Sequence, residues 1–200
     1  MSIHSAGISD LIPLSLTIKK AFLGNEVFSY IFGSSENYEK SANLYFEFVL
    51  KTAFNQGEVF YDTLPEKGAI LLAENSNKLY ALTQEMKAGG YKIPYQCGVK
   101  TVFRSLNFKN NLMALRKDFL PPKHLYVYLL TVNPELQKKG TGIRLLEFAQ
   151  SRARELKLPL VLETMTQALV QFYTKRGFCT VAARKFEAAD LTLYGMRWDG

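Results

Sequence analysis

The residues best suited to chemistry in this sequence are two lysines and two glycines that separate an apolar run from an amphipathic segment. Lys138, Lys139, Gly140 and Gly142 follow the apolar run 125–132 and open a stretch with helical spacing. The first turn of a helix carries free backbone N–H groups and the positive end of the helix dipole. Glycines let an anion reach those groups, and the lysines add positive charge. The segment therefore favours a phosphate site.

Two common phosphate-binding motifs do not fit this turn. The dinucleotide motif needs a third glycine three residues after the second, where this chain has Leu145. The triphosphate-binding loop needs a Gly-Lys pair, and neither Gly140 nor Gly142 is followed by lysine. Taken alone, the turn fits an ordinary helix start as well as a phosphate site.

Apolar periodicity predicts alternating strands and helices along the chain. The predicted strands are 58–61, 69–73, 125–132, 160–164, 178–182 and 191–198, and the predicted helices are 8–22, 38–55, 78–86, 102–115, 140–157 and 167–175. A helix between two strands, as at 140–157, indicates a parallel strand pair, whereas 58–73 and 178–198 suit antiparallel pairs. The fold class is therefore α/β with one mixed sheet and helices on both faces.

The composition is that of an ordinary folded domain. The chain has 200 residues, of which 48% are hydrophobic, so one domain over residues 1–200 is expected. The net charge of +7 favours an anionic partner, but no nucleic-acid-binding motif accompanies it. No run approaches the roughly 20 apolar residues of a membrane span, and no signal peptide is evident. The two Cys and two His residues do not suffice for a closed zinc site. We therefore expect a cytoplasmic protein without a metal, nucleic-acid or membrane partner.

A wider pattern around the glycine turn is more specific than the turn itself. Residues 132–142 read VNPELQKKGTG, and residues 172–178 read FYTKRGF. In this order and at this separation, the two segments resemble the acetyl-CoA loop and the later helix of the GNAT superfamily of N-acetyltransferases, in its small-molecule type. The resemblance covers residues 125–178. It implies a GNAT-like central mixed sheet with a splayed parallel strand pair, and a helical insertion at 75–122.

The resemblance also implies a reaction and a set of binding residues. Acetyl-CoA would serve as co-substrate, and an amine of a small-molecule acceptor would attack its acetyl group directly. Backbone groups at the end of the central strand would bind the pantetheine arm and polarise the acetyl carbonyl, and the glycine turn would hold the pyrophosphate. The implied cofactor-binding residues are Leu130, Thr131, Val132, Gln137, Lys138, Lys139, Gly140, Thr141, Gly142 and Ile143.

Two side chains are candidates for the proton transfers of this reaction. Tyr173 matches the general acid of the superfamily and would protonate the departing thiolate; the alternative is that its ring only packs the helix on the sheet. Glu163 is a lone carboxylate after the apolar residues 160–162, and it would act as base or orient the amine. For Glu163 the alternative is a salt bridge with an Arg or Lys at the edge of the cleft, with a water chain as the base.

Aromatic residues cluster in the first helical segments and could wall the acceptor site. Tyr30 and Phe32, beside Gly33, are the expected acceptor contacts, while most of the other rings are expected to pack in the core. His124 precedes the central strand and is interpreted as a surface or strand-start residue without a catalytic role.

The sequence leaves other functions open. Many GNAT members have an asparagine seven or four residues before the signature tyrosine, where this chain has Thr166 and Leu169. A catalytically weak or inactive CoA-binding regulatory domain of the same fold is therefore the alternative to an enzyme. A basic nucleic-acid binder is a third hypothesis, which no motif supports. The oligomeric state is open, with a homodimer as one option.

Overall fold

The computed structural model describes residues 2–65, 67–74 and 82–200, and within them the strands form one seven-stranded sheet. The strands are β1 (Ile3–Ser5), β2 (Glu58–Asp62), β3 (Gly68–Glu74), β4 (Leu125–Val132), β5 (Leu160–Thr164), β6 (Cys179–Phe186) and β7 (Leu191–Trp198). They lie in the order β1-β2-β3-β4-β5-β7-β6. Strands β4 and β5 are parallel, and the other neighbours are antiparallel. The mixed α/β class predicted from the sequence is confirmed.

Helices cover both faces of this sheet. Those of the described residues are α1 (Leu11–Ala21), α2 (Glu26–Phe32), α3 (Ser35–Gln56), α4 (Leu82–Lys87), α5 (Ile93–Cys97), α6 (Val99–Phe119), α7 (Thr141–Leu156) and α8 (Gln167–Thr174). Apolar residues of α7 join one core cluster, and those of α1, α2, α3 and α6 join two clusters on the opposite face. No helix within the described ranges is long and apolar enough to cross a membrane.

The central strands are apolar on both faces because both faces are covered. In β4, Leu125 and Val127 pack in the cluster with α7, while Tyr126 between them packs in the cluster with α6. In β5, Leu160 packs with α7, and Val161 packs with α6. This alternation follows from the two-residue period of a strand, and it explains why the sequence shows near-continuous apolar runs here.

The helix and strand boundaries predicted from the sequence agree best with the observed ones where the apolar runs are longest. The strands at 125–132, 160–164 and 191–198 are confirmed without change. Helix α3 begins three residues before the predicted start at Tyr38, because Ser34 accepts a hydrogen bond from the Asn37 N–H and caps the helix. Helix α2 and strand β1 are absent from the prediction.

The predicted helix at 78–86 is described only in part. Residues 78–81 lie outside the described residues, and the described remainder belongs to α4. The predicted helix at 102–115 is confirmed as part of the longer α6, which ends just before Pro121 and Pro122. Helix α6 matters for the candidate site because its apolar residues pack in one core cluster with Tyr126 of β4 and Val161 of β5.

Candidate active site

The parallel strands β4 and β5 pair only at their first residues and then separate. Leu125 and Tyr126 pair with the start of β5, and no described residue of β5 pairs with β4 beyond them. On its other side, β4 stays paired with β3 along its whole length. Backbone N–H and C=O groups on the open edge of 127–132 need partners. This edge therefore suits an extended ligand that can form backbone hydrogen bonds.

A cavity of about 460 Å³ lies where the two strands diverge. Its walls include residues 126–130 of β4, residues 162–164 of β5, and side chains from helices on the sheet face that α6 covers. The Thr164 hydroxyl at this wall is buried and has no hydrogen-bond partner within the described part of the chain. The position agrees with the general rule that ligands bind beyond the carboxyl ends of parallel strands.

The glycine turn leads from the end of β4 into α7. Lys138 (φ 62°) and Gly140 (φ 87°) adopt the left-handed conformation, which glycine tolerates without strain. Among the described residues no side chain caps the first turn of α7, as is also the case for α1, α5 and α6, whereas α2, α3 and α8 are capped by Asn25, Ser34 and Thr166. The free N–H groups of this turn are consequently open to an anion, as the sequence predicts.

Arg144 fastens the glycine turn to the sheet. Its guanidinium donates hydrogen bonds to Thr141 Oγ1 at 3.0 Å and to the carboxylate of Asp62, which ends β2. Burial alone would raise the pKa of Asp62, but hydrogen bonds from Arg144 and Thr63 and nearby positive charge hold it below its usual value. The Arg144 side chain is 34% exposed, so part of its charge faces solvent beside the turn.

Gly68 allows β3 to approach the end of β4 closely. A Cβ at residue 68 would lie 2.6 Å from the carbonyl oxygen of Thr131, which is shorter than any side chain tolerates, and 3.3 Å from Cγ2 of Thr141. The position therefore needs glycine, and the close approach brings the end of β4 and the start of α7 together. The Thr131 hydroxyl is buried there and finds no hydrogen-bond partner in the described ranges.

Glu163 lies at the cavity wall, where it forms a buried ion pair that links β5 to α6. Its Oε1 accepts a hydrogen bond from Arg116 Nε at 2.6 Å, and its Oε2 accepts one from Arg116 Nη2 at 3.1 Å. The Tyr126 hydroxyl donates to the same Oε2 at 2.7 Å. The side chains of Arg116 and Glu163 are 2% and 3% exposed. The salt bridge that the sequence left open is thus present, and the carboxylate is held in one orientation.

Tyr173 lies on α8 at the other side of the same cavity. Its ring makes edge contacts with Phe172 and Phe178, at centroid distances of 5.2 Å and 5.6 Å. Burial raises the pKa of Tyr173 well above its usual value, although the nearby charge of Arg176 acts in the opposite direction. The phenol therefore keeps its proton, and no described residue forms a hydrogen bond with its hydroxyl.

The family comparison decides what this arrangement belongs to. Residues 113–199, which include the diverging strands, the glycine turn and α8, match the family model described as the acetyltransferase (GNAT) domain. Residues 113–199 of this chain are therefore similar to the GNAT acetyltransferase domain. No curated protein sequence matches the chain significantly.

Solved structures share the GNAT fold over nearly the whole chain. The histone acetyltransferase HPA2 and related acetyltransferase of Corynebacterium glutamicum superposes with a TM-score of 0.71 at 16% identity, covering 98% of this chain and 94% of its own. Arylalkylamine N-acetyltransferase 2 of Aedes aegypti superposes with a TM-score of 0.63 at 14% identity, and the match covers 98% of this chain and 97% of that protein. The polyamine N-acetyltransferase of Drosophila melanogaster superposes with a TM-score of 0.57 at 11% identity, and the match covers 100% of this chain and 99% of that protein. At these identities the similarity establishes the fold.

The structure brings together the residues that the GNAT resemblance implies. Leu130 lines the cavity, and Thr131 and Val132 continue the same strand to the glycine turn. Gln137 donates a hydrogen bond to the Val132 carbonyl oxygen at 3.5 Å, so its side chain folds back over the strand end. Thr166 accepts a hydrogen bond from the Leu169 N–H and caps α8, so its side chain serves its own helix.

The acceptor contacts expected from the sequence do not line this cavity. Tyr30 and Phe32 lie outside the described walls of the GNAT cavity: Tyr30 packs on Phe186, and Phe32 lines a separate depression beside Gly33. Aromatic residues of the first helical segments line the cavity, namely Phe22, Phe28, Tyr45, Phe46 and Phe48. Most of them also pack in the core as expected, and Phe46 is fully buried there. Periodicity places a ring on a helix face, but it does not show which face meets a cavity.

His124 is also placed differently from the surface position that the sequence suggested. It is 2% exposed, and its Nδ1 lies 2.8 Å from the Pro121 carbonyl oxygen. Burial lowers the pKa of His124, and the charge of Arg116 lowers it further, while the bond to Pro121 and the charge of Glu163 act in the opposite direction.

Buried His124 predicts a loss of stability in mild acid. Below the ordinary value of 6.5 the unfolded chain takes up a proton that the folded protein binds less readily, so the free energy of unfolding falls as pH falls. His124→Asn keeps an N–H donor near Pro121 and removes the titration. Melting temperatures from pH 7.5 to about 5 should therefore decline less in this variant than in the wild type. Parallel curves for the two proteins would contradict the assignment.

Proposed function

We propose that this chain is an acetyl-CoA-dependent N-acetyltransferase that acetylates an amine of a small molecule by direct attack. The observation that carries the proposal is the cavity between the diverging strands β4 and β5, whose lining includes Leu130 of the strand that leads into the uncapped glycine turn at the start of α7. An extended thioester with a charged diphosphate at one end matches both features. The titratable groups in the described cavity wall include Glu163 and Tyr173.

The residues present fit coenzyme A. The open edge of β4 at Leu130, Thr131 and Val132 offers backbone groups to the pantetheine arm, and Gln137 and the N–H groups of 138–143 offer donors to the pyrophosphate. The exposed side chains of Lys138 and Lys139 add positive charge at the turn. Bound acetyl-CoA supplies an activated acetyl group, while the protein contributes binding, orientation and proton transfer.

Glu163 is proposed to receive the proton that the attacking amine must lose. The Tyr126 hydroxyl donates to Glu163 Oε2 at 2.7 Å, and both residues line the cavity. An amine proton can pass to the Tyr126 oxygen while the Tyr126 proton passes to Glu163. Tyr126 then ends with the same number of protons as before, and Glu163 holds the proton that the amine has lost. Arg116 keeps the carboxylate in place for this transfer.

Tyr173 is proposed as the acid that assists the departing thiolate. Its raised pKa keeps the phenol protonated, and the residue lines the cavity. A buried phenol is a weak acid, so its main contribution is a hydrogen bond to the sulfur as negative charge develops there.

We further propose that residues 1–200 act as one domain with a helical insertion at 75–122. The insertion would have a function because α6, which lies within it, supplies Arg116 and several residues of the cavity wall. A cytoplasmic location and a homodimer stay predictions from the sequence.

Replacing Gly142 by Glu tests the binding of coenzyme A at the glycine turn. The new side chain and its negative charge would occupy the place proposed for pyrophosphate, so the affinity for CoA should fall by at least ~10-fold, about 1.4 kcal/mol. Ser151→Glu is the matched control, because it adds the same charge to an exposed position of the same helix. Titration calorimetry of both folded variants measures the effect. Equal CoA affinity in the two variants would refute the assignment.

A CoA-binding regulatory domain is the second candidate function. It is favoured by one observation: Thr166, where many GNAT members have asparagine, caps its own helix, and Leu169 is 43% exposed. The two functions differ in a single measurement, since a regulatory domain would bind CoA without releasing its thiol when an amine is added.

A further inference from the structure

The cavity extends away from the diverging strands toward a wall of aromatic rings. This aromatic wall consists of Phe22, Phe28, Tyr45, Phe46 and Phe48. The ring centroids of Phe28 and Phe46 lie 4.8 Å apart in an edge contact, and those of Phe22 and Phe28 lie 4.9 Å apart. We propose that this wall holds the acceptor, and that the acceptor is an arylalkylamine, with one primary amine joined by a short alkyl chain to an uncharged aromatic ring. The inference rests on the proposed function and specifies its substrate class.

Among the described residues of the cavity wall, no unpaired carboxylate is left for a second ammonium group. The acidic side chains among the described wall residues are Glu85 and Glu163. Glu85 is paired with Lys109 at 2.5 Å, and Glu163 is paired with Arg116. Burying a further cation among apolar rings without a counter-charge is unfavourable, and a contact with a ring face offsets only part of that penalty. A diamine or polyamine is therefore a poor match, whereas an amine with an uncharged ring fits.

The described rim of the cavity supports an apolar acceptor independently of its interior. Met86, Leu106 and Leu169 all line the cavity, and they are 49%, 45% and 43% exposed. Large apolar side chains gathered around an opening are typical of a binding site for an apolar group. An aromatic ring that passes this rim and stacks on the aromatic wall would remove apolar surface from water at both places.

Ser105 gives a way to change the charge of the cavity without touching the catalytic groups. It lies on α6 in the cavity wall, and its buried hydroxyl has no hydrogen-bond partner within the residues that the structure describes. Ser105→Asp would place a carboxylate in this wall, and Ser105→Asn would place a neutral group of the same shape. The two variants differ in charge alone.

Three amines test the proposal on the wild-type protein. Hexylamine and 1,6-diaminohexane differ only by the second ammonium group, and 2-phenylethylamine adds the aromatic ring. We expect kcat/KM for 2-phenylethylamine and hexylamine to exceed that for 1,6-diaminohexane by at least ~10-fold, with 2-phenylethylamine the best of the three. A diamine that reacts as well as either monoamine, or hexylamine ahead of 2-phenylethylamine, overturns the substrate class while the proposed function stands. Absence of CoA release with every amine overturns both.

The Ser105 variants test the location of the acceptor. If the acceptor occupies this wall, the ratio of kcat/KM for 1,6-diaminohexane to that for 2-phenylethylamine should rise at least ~10-fold in Ser105→Asp relative to Ser105→Asn. An unchanged ratio in two folded variants would show that the acceptor lies elsewhere. If the aspartate variant does not fold, the order of the three amines on the wild type still decides the proposal.

Discussion

Replacing Glu163 by Gln is expected to lower kcat by ~10² or more. Gln keeps the shape of the side chain and removes the group proposed to receive the amine proton. The same change leaves Arg116 buried without its counter-charge, so the free energy of unfolding should fall by about 3 to 5 kcal/mol. The rate must therefore be measured on the folded protein, at a temperature well below the melting temperature of the variant.

A second variant separates the chemical effect of Glu163 from the structural one. Arg116→Met combined with Glu163→Gln removes both charges, so that no isolated ion stays buried and much of the lost stability should return. If Glu163 receives the proton, the double variant regains stability but not kcat. If activity returns together with stability, Glu163 only holds α6 on the sheet, and another group or a water chain is the base.

Replacing Tyr173 by Phe is expected to lower kcat by ~10- to 100-fold while the affinity for CoA stays close to that of the wild type. The range lies at the low end for a general acid, because burial makes this phenol a weak acid and a thiolate is already a good leaving group. The melting temperature should change little, since no described residue forms a hydrogen bond with the hydroxyl.

The matched control for Tyr173 is Tyr61→Phe. Tyr61 lies in β2, where it stacks on His4 outside the described cavity walls, so loss of its hydroxyl should leave kcat unchanged. Measuring kcat of both variants over a pH series isolates the role of the Tyr173 hydroxyl. A Tyr173→Phe protein within about twofold of wild type at every pH would show that its ring only packs α8.

The central part of the fold could be predicted because the apolar character of its residues indicates directly that they are buried. The strand at 125–132 is apolar at nearly every position, and only a strand covered on both faces has that pattern. Strand β1 and helix α2 carry no comparable signal: β1 has three residues with an exposed edge, and α2 has seven residues between Asn25 and Gly33. Such short elements depend on tertiary contacts more than on their own pattern.

The candidate site could be predicted where one segment supplies both the free backbone N–H groups and the positive charge. Residues 138–142 form such a segment, and the turn there is uncapped as expected. Arg116 could not be predicted, because it lies 47 positions before Glu163 and looks like any basic residue near the end of a helix. The burial of His124 and the contact of the aromatic wall with the cavity could not be predicted for the same reason. Their surroundings are set by how α6 and the first helices pack on the sheet, which no local pattern encodes.

The most direct test of this account is a mass balance for acetyl transfer. The purified protein is incubated with acetyl-CoA and 2-phenylethylamine, free thiol is measured continuously, and the acetylated amine is quantified by mass spectrometry. The account predicts that thiol release depends on the amine and that one N-acetyl product forms for each CoA released. CoA binding confirmed by calorimetry, together with no amine-dependent thiol release for any amine in the set, would contradict it and favour the regulatory domain.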